Sequence, residues 1–174
     1  MHFDERKENM AITRVEVERF QVTCSKPFES VVAAIKAAVG RPDMAEFAKA
    51  IGSARTFTDY EAKVRKGLGR TGLMMFMELD HGAILQKESG LNTPKIVRLV
   101  IGNPLIMREM AKRVPDAGSY APVTILVDER PDGVHLSYDR MASLLGPYGN
   151  AEASKVAGDL DAKVEALLAS AASR

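Results

Sequence analysis

The sequence predicts an α+β domain, with a mainly antiparallel sheet of about five strands and helices packed on one of its faces. Three observations predict it. Residues 95–102 (KIVRLVIG) are apolar and β-branched, the composition of a buried strand. Residues 122–129 and 134–139 are two further strand-like runs, and they flank Arg130-Pro131-Asp132-Gly133. Pro pre-sets such a turn and Gly takes its left-handed position, so the two runs form a hairpin and the sheet has an antiparallel part. Helical apolar periodicity recurs between the strands, most extensively after Asn150. A doubly wound parallel sheet is therefore excluded.

The elements follow in order. Val15, Val17, Phe20, Val22 and Cys24 alternate with one break, which predicts a bulged strand over residues 12–24. Ser25-Lys26-Pro27 opens a helix whose face is Phe28, Val31, Val32, Ile35 and Val39, and Gly40 stops it. A short helix fits residues 42–51, with Phe47 and Ile51 on one side. Thr58 and Glu61 have capping-box spacing for a helix reaching Leu68. Residues 73–79 are apolar except Glu78 and read as a strand; Asp80 then caps a helix from His81 to Glu88. Gly90-Leu91 resembles a Schellman stop with its hydrophobic contact. Asn103-Pro104 turns the 95–102 strand into a helix through Arg113, ended by Pro115. After the hairpin, Asn150 caps a last helix to Ala172 with the stripe Val156, Leu160, Val164, Leu167 and Ala171. This first and this last helix are the ones expected to cover the sheet.

Composition narrows the classes of function. The chain has 174 residues, 24 Lys plus Arg against 23 Asp plus Glu, one Cys and three His. That length suits one domain over residues 11–174, with residues 1–10 (MHFDERKENM) as a flexible, solvated tail. A formal charge of +1 argues against a dedicated nucleic-acid binder. One Cys allows no internal disulfide and no multi-cysteine metal site. No apolar run approaches the roughly 20 residues of a membrane helix, and the first ten residues have no secretory apolar core. The expectation is a cytoplasmic protein with no cofactor, no nucleic-acid partner and no membrane partner.

Several short patterns invite chemistry. Gly67-Leu68-Gly69-Arg70-Thr71-Gly72 has the letters of a dinucleotide fingerprint, but it follows a helix and precedes a strand, so it reads as a helix stop and turn. Met75 and Met77, in the run 74–77, are expected on one strand face as core filler rather than copper ligands. Asp80-His81 is the most chemically loaded spot: an imidazole at a helix start beside a carboxylate is a usable base or ligand. Gly102-Asn103-Pro104 is a strand–helix junction where backbone N–H groups could meet an anion. In Ser137-Tyr138-Asp139-Arg140, an Asp–Arg pair beside a Tyr could orient a polar ligand. His135 is expected to face solvent, and neither it nor His2 makes a convincing second metal ligand. Cys24 reads as a structural thiol. No nucleophile–base set can be assembled from the sequence.

Taken together, Ser25-Lys26-Pro27-Phe28-Glu29, Leu79-Asp80-His81-Gly82, Ile101-Gly102-Asn103-Pro104, Tyr120-Ala121-Pro122 and Ser137-Tyr138-Asp139-Arg140 resemble, in order and spacing, the bacterial and archaeal family called domain of unknown function 302. The resemblance spans about residues 15–168. It implies a TATA-binding-protein-like α+β fold, with a curved antiparallel sheet and frequent homodimers. It implies no reaction, and DNA binding does not transfer to a near-neutral chain.

The functional expectation is a soluble domain binding a small polar or anionic ligand at strand ends. Asp80, His81, Asn103, Tyr120, Tyr138 and Arg140 are the candidate ligand-binding residues. The alternatives are a small enzyme with His81 as general base tuned by Asp80, and a homodimeric regulatory module without ligand. A metal held by His81 and carboxylates is a further rival.

Overall fold

The computed structural model describes residues 12–173. The expectation of a flexible tail at residues 1–10, and His2 within it, lies outside them. Five strands form one antiparallel sheet: β1 (Arg19–Cys24), β2 (Met74–Asp80), β3 (Ile96–Gly102), β4 (Val123–Arg130) and β5 (Gly133–Asp139), in the order β1-β5-β4-β3-β2. Eight α-helices accompany it among the described residues: α1 (Phe28–Ala38), α2 (Met44–Gly52), α3 (Phe57–Gly67), α4 (Gly82–Ser89), α5 (Pro104–Ala111), α6 (Ala117–Tyr120), α7 (Met141–Leu145) and α8 (Ala151–Ala172). No helix among these residues is long and apolar enough to cross a membrane.

Strand alternation sorts the sheet into two faces. Val22, Leu136, Val127, Val97, Leu99 and Ile125 point inward, and α1 and α8 lie against them to close the main core. The opposite face stays largely open; Arg19, Gln21, Thr23 and Arg98 are exposed on it. A second, smaller cluster of Phe47, Val64 and Met74 sits under α2 and α3.

Most elements arise where the sequence places them, and the departures have local causes. β1 begins at Arg19, not near Ile12, because β5 ends opposite at Asp139; only the bond from Arg140 N–H to the Glu18 carbonyl extends the ladder. The cap of α3 is Thr56, which accepts from Asp59 N–H at 3.1 Å, rather than Thr58, and this leaves Phe57 free to face Arg108. Gly90 does end α4, with its N–H on the Gln86 carbonyl, but Leu91 is 64 % exposed and joins neither buried cluster. The short helices α6 and α7 carry too few residues for a period to be read.

Two departures concern β2 and the end of α1. The register shifts between Met75, opposite Ile101, and Met77, opposite Val100. That one-residue bulge puts Met75 inward and turns Met77 to the open face, where it is 52 % exposed, so the two do not share a face. Gly40 does not stop α1 by a left-handed turn. Val39 is the extended cap, and Gly40 bridges to Met74 while passing hard against the α3 exit. A Cβ on Gly40 would lie 1.8 Å from the Gly67 carbonyl oxygen. In the fingerprint-like stretch Gly69 serves this backbone packing, since a Cβ on it would meet the Gly40 nitrogen at 2.4 Å, while Gly72 takes the left-handed turn at φ +72°.

Gly40→Ala is therefore expected to destabilise the fold by about 3 kcal/mol or more, the upper range for overpacking. Gly52→Ala, where a Cβ meets nothing within 4 Å, should stabilise it by up to about 1 kcal/mol. Urea midpoints at unchanged slope read both outcomes.

Candidate functional site

The β2–β3 pair separates the sequence-predicted site residues. Asp80 lies opposite Val97 at one end of the pair, and Gly102, next to Asn103, lies opposite Met74 at the other. Roughly 17 Å of strand separates those ends, so the six candidates do not share one cleft.

At the first end, Asp80 Oδ1 accepts from Ala83 N–H at 2.9 Å, so this carboxylate caps α4. His81 is exposed and makes no side-chain hydrogen bond among the described residues. Asp80 also borders a cleft of about 210 Å³, but His81 does not. The other charges there are mutually engaged, Lys36 with Glu78 at 2.6 Å and Lys95 with Glu29 at 3.0 Å. No group of three or more His, Cys, Asp or Glu among the described residues is placed to hold a metal ion.

Asn103 at the other end is consumed by the turn. Its Oδ1 accepts from Leu105 N–H at 2.8 Å and its Nδ2 donates to the Gly72 carbonyl at 2.9 Å. Tyr138 and Arg140 stand nearby in a network that centres on Asp161 of α8. Asp161 is fully buried and accepts from Tyr138 O–H at 2.6 Å, Met141 N–H at 2.7 Å and Ala142 N–H at 3.0 Å. Burial and this carboxylate raise the Tyr138 phenol well above its ordinary range. Asp139 and Arg140 do not pair with each other, because strand alternation sends them to opposite sides. Arg19 grips Asp139 with two hydrogen bonds of 2.6 and 2.9 Å, while Arg140 reaches Glu18 and, at 2.9 Å, Glu165. Asp161 gave no sequence signal, since it falls beside an apolar stripe and charged neighbours alike.

The open face at this end carries the larger hollow, a cleft of about 410 Å³. Its floor is Arg98, Thr124, Leu126 and Ser137, the Arg19–Asp139 pair closes one side, and Tyr120 and Leu144 border it from α6 and α7. Arg98 donates to Thr124 Oγ1 at 3.1 Å and has no carboxylate partner among the described residues. With Arg19 neutralised by Asp139, the cleft keeps one uncompensated positive charge. Tyr120 O–H lies 3.1 Å from that of Tyr148, and this hydrogen bond, with burial and the Asp116 charge, pushes the Tyr148 phenol up to about 12. Sequence reading missed Arg98 because a lone cation in an apolar strand looks like a solvent-facing residue.

A third cluster lies at the far end of the β1–β5 pair. His135, expected to face solvent, has a side chain only 13 % exposed. Its Nε2 is 2.9 Å from Asp132 Oδ1 and its Nδ1 is 3.2 Å from Thr23 Oγ1. This is a hydroxyl–imidazole–carboxylate series, made by the β1–β5 register that sets Thr23 opposite His135.

A family model described as domain of unknown function DUF302 matches residues 49–171. Among solved structures, the chain is similar to the crystal structure of an uncharacterized conserved protein DUF302 from Bacillus stearothermophilus. The TM-score is 0.61 at 15 % identity, covering 89 % of this chain and 98 % of that one. No curated protein matches the sequence.

Removing the buried carboxylate should cost more than removing its phenol partner. Asp161→Ala leaves the Ala142 amide and the Tyr138 hydroxyl without an acceptor and Met141 N–H with only the phenol oxygen at 3.3 Å, and is expected to lose about 3 kcal/mol or more; Tyr138→Phe should lose about 1–2 kcal/mol. The raised Tyr138 phenol also sets a sign. Its stabilisation is complete below the unfolded value of about 10 and is lost as pH rises toward the folded value, because only the unfolded chain ionises there. Urea titrations from pH 9 to 11 should show stability falling more steeply in the parent than in Tyr138→Phe.

Proposed function

The chain belongs to the DUF302 family, and we propose that it is a binding domain for a small anionic ligand held in the Arg98 cleft. The observation that carries this reading is the guanidinium of Arg98, set in a concave floor without a carboxylate partner among the described residues. An arginine presents a planar fork of donors that suits carboxylate and phosphate oxygens. Thr124, Ser137 and Tyr120 add hydroxyls around it, and Leu126 and Leu144 add apolar wall, the mixed lining typical of small-molecule sites. The Arg19–Asp139 pair supplies a rigid polar rim rather than a second free charge.

The rival position for the same class of ligand is Asp80–His81. Against it stand the capping bond of Asp80 and the absence of a partner for His81 among the described residues. The same absence weighs against an enzyme with His81 as general base, since a base needs an orienting group and a reacting partner within reach.

Titration with inorganic phosphate, acetate and citrate, followed by backbone amide NMR, tests the proposal. The expected result is shifts confined to β3, β4 and β5 around Arg98 and Ser137, weakened by added salt. Arg98→Ala should weaken the best of these anions about tenfold or more, the loss of one charge-assisted hydrogen-bonded contact. His81→Ala should leave it unchanged. Shifts centred on Asp80, or an Arg98→Ala variant that binds as well as the parent, would overturn the cleft assignment. No response to any anion from a chain that sediments as a dimer would instead favour an interaction module.

A further inference from the structure

We propose that Thr23 is an acyl-acceptor site, with His135 as the base that activates its hydroxyl and Asp132 as the group that orients the imidazole. The proposal is separate from the Arg98 cleft and stands or falls without it.

The protonation pattern follows from the contacts. The hydrogen bond from His135 holds the Asp132 carboxyl below the usual carboxylate range, so at neutral pH Asp132 is ionised and can only accept. Nε2 therefore carries a hydrogen toward Asp132, and in the uncharged form of the ring Nδ1 holds a lone pair 3.2 Å from Thr23 Oγ1. Nucleophile, base and orienting carboxylate stand within hydrogen-bond reach in the order that hydroxyl activation needs. Asp128, opposite His135 on β4, does not compete for the ring, because Arg130 engages it.

The backbone keeps the arrangement in register. Gly133 sits at φ +137°, and a Cβ there would lie 2.6 Å from the Cys24 carbonyl oxygen. Only glycine lets β1 come this close to the hairpin, and β1 is what delivers Thr23 to His135.

The chemistry balances without a co-reactant other than the donor, an activated ester. Oγ1 bonds to the acyl carbon as its proton passes to Nδ1. The bond from that carbon to the leaving oxygen breaks, and the leaving group takes the proton from Nδ1. Thr23 is exposed, so the water-excluded electrostatic support that drives rapid turnover is lacking. The product is thus a persisting ester on Thr23 rather than a hydrolysis cycle.

The test is incubation of the whole protein with p-nitrophenyl acetate, with acetyl groups located by peptide mass spectrometry. Acetyl-Thr23 is expected to form faster than on any other hydroxyl of the chain. Thr23→Ser should retain labelling at that position. His135→Gln should slow it about 100-fold, the low end of what a positioned general base contributes, while lysine labelling elsewhere stays unchanged as the internal measure of an intact fold. Asp132→Asn should slow it less than His135→Gln does. Gly133→Ala should lose Thr23 labelling although all three side chains remain. Random labelling without Thr23 enrichment, or Thr23 labelling that survives His135→Gln, would overturn the assignment.

Discussion

The buried carboxylate of Asp161 is the interaction on which this molecule's strand-end architecture depends. A charge inside a core is costly unless every lone pair is met. Here three hydrogen bonds meet it, from the β5 phenol of Tyr138 and the first two amides of α7, with the Arg140 guanidinium 3.8 Å away. One side chain of α8 therefore holds the end of β5, starts α7 and sets where the chain turns after the sheet. Because α7 carries Leu144 to the border of the open cleft, the inward-facing carboxylate shapes the outward-facing hollow through the backbone.

The second organising device is close backbone approach. Gly40 and Gly69 let the exit of α1 lie against the exit of α3, and Gly133 lets β1 lie against the hairpin. The first contact seats β2 through the Gly40–Met74 bridge, and the second places Thr23 beside His135. The bulge at Met75–Met77 adds a change of face within β2. None of these is visible as a periodic pattern, yet each decides which side chains meet.

Much of the fold was legible, and the reasons are local. The hairpin turn, the β3 run and the Asn150 cap of α8 each combine a turn or cap residue with an unambiguous period. Asn150 does accept from Ala153 N–H at 2.9 Å, as that pattern implies. The candidate site was less legible. Asp80 and Asn103 were singled out as residues at strand–helix junctions, and both are occupied as caps. Tyr138 reads in the sequence as a ligand-binding residue beside an Asp–Arg pair, whereas its hydroxyl meets Asp161 on α8. Arg98 and Thr23 went unnoticed because their significance comes from strands beside them in the sheet, not residues beside them in sequence.

What the sequence by itself determined is the class of object: an α+β domain with an antiparallel hairpin, a long covering helix and a near-neutral charge, in a family whose model matches residues 49–171. These follow from composition, periodicity and capping, which act over a few residues. What only the tertiary structure decided is the company each polar side chain keeps. Strand order put β1 beside β5, register put Thr23 opposite His135, and helix packing sank Asp161 under Tyr138. Register is a relation between distant segments, fixed by burying one face of every strand at once, so it exists only once the sheet and its helices have closed on a common core.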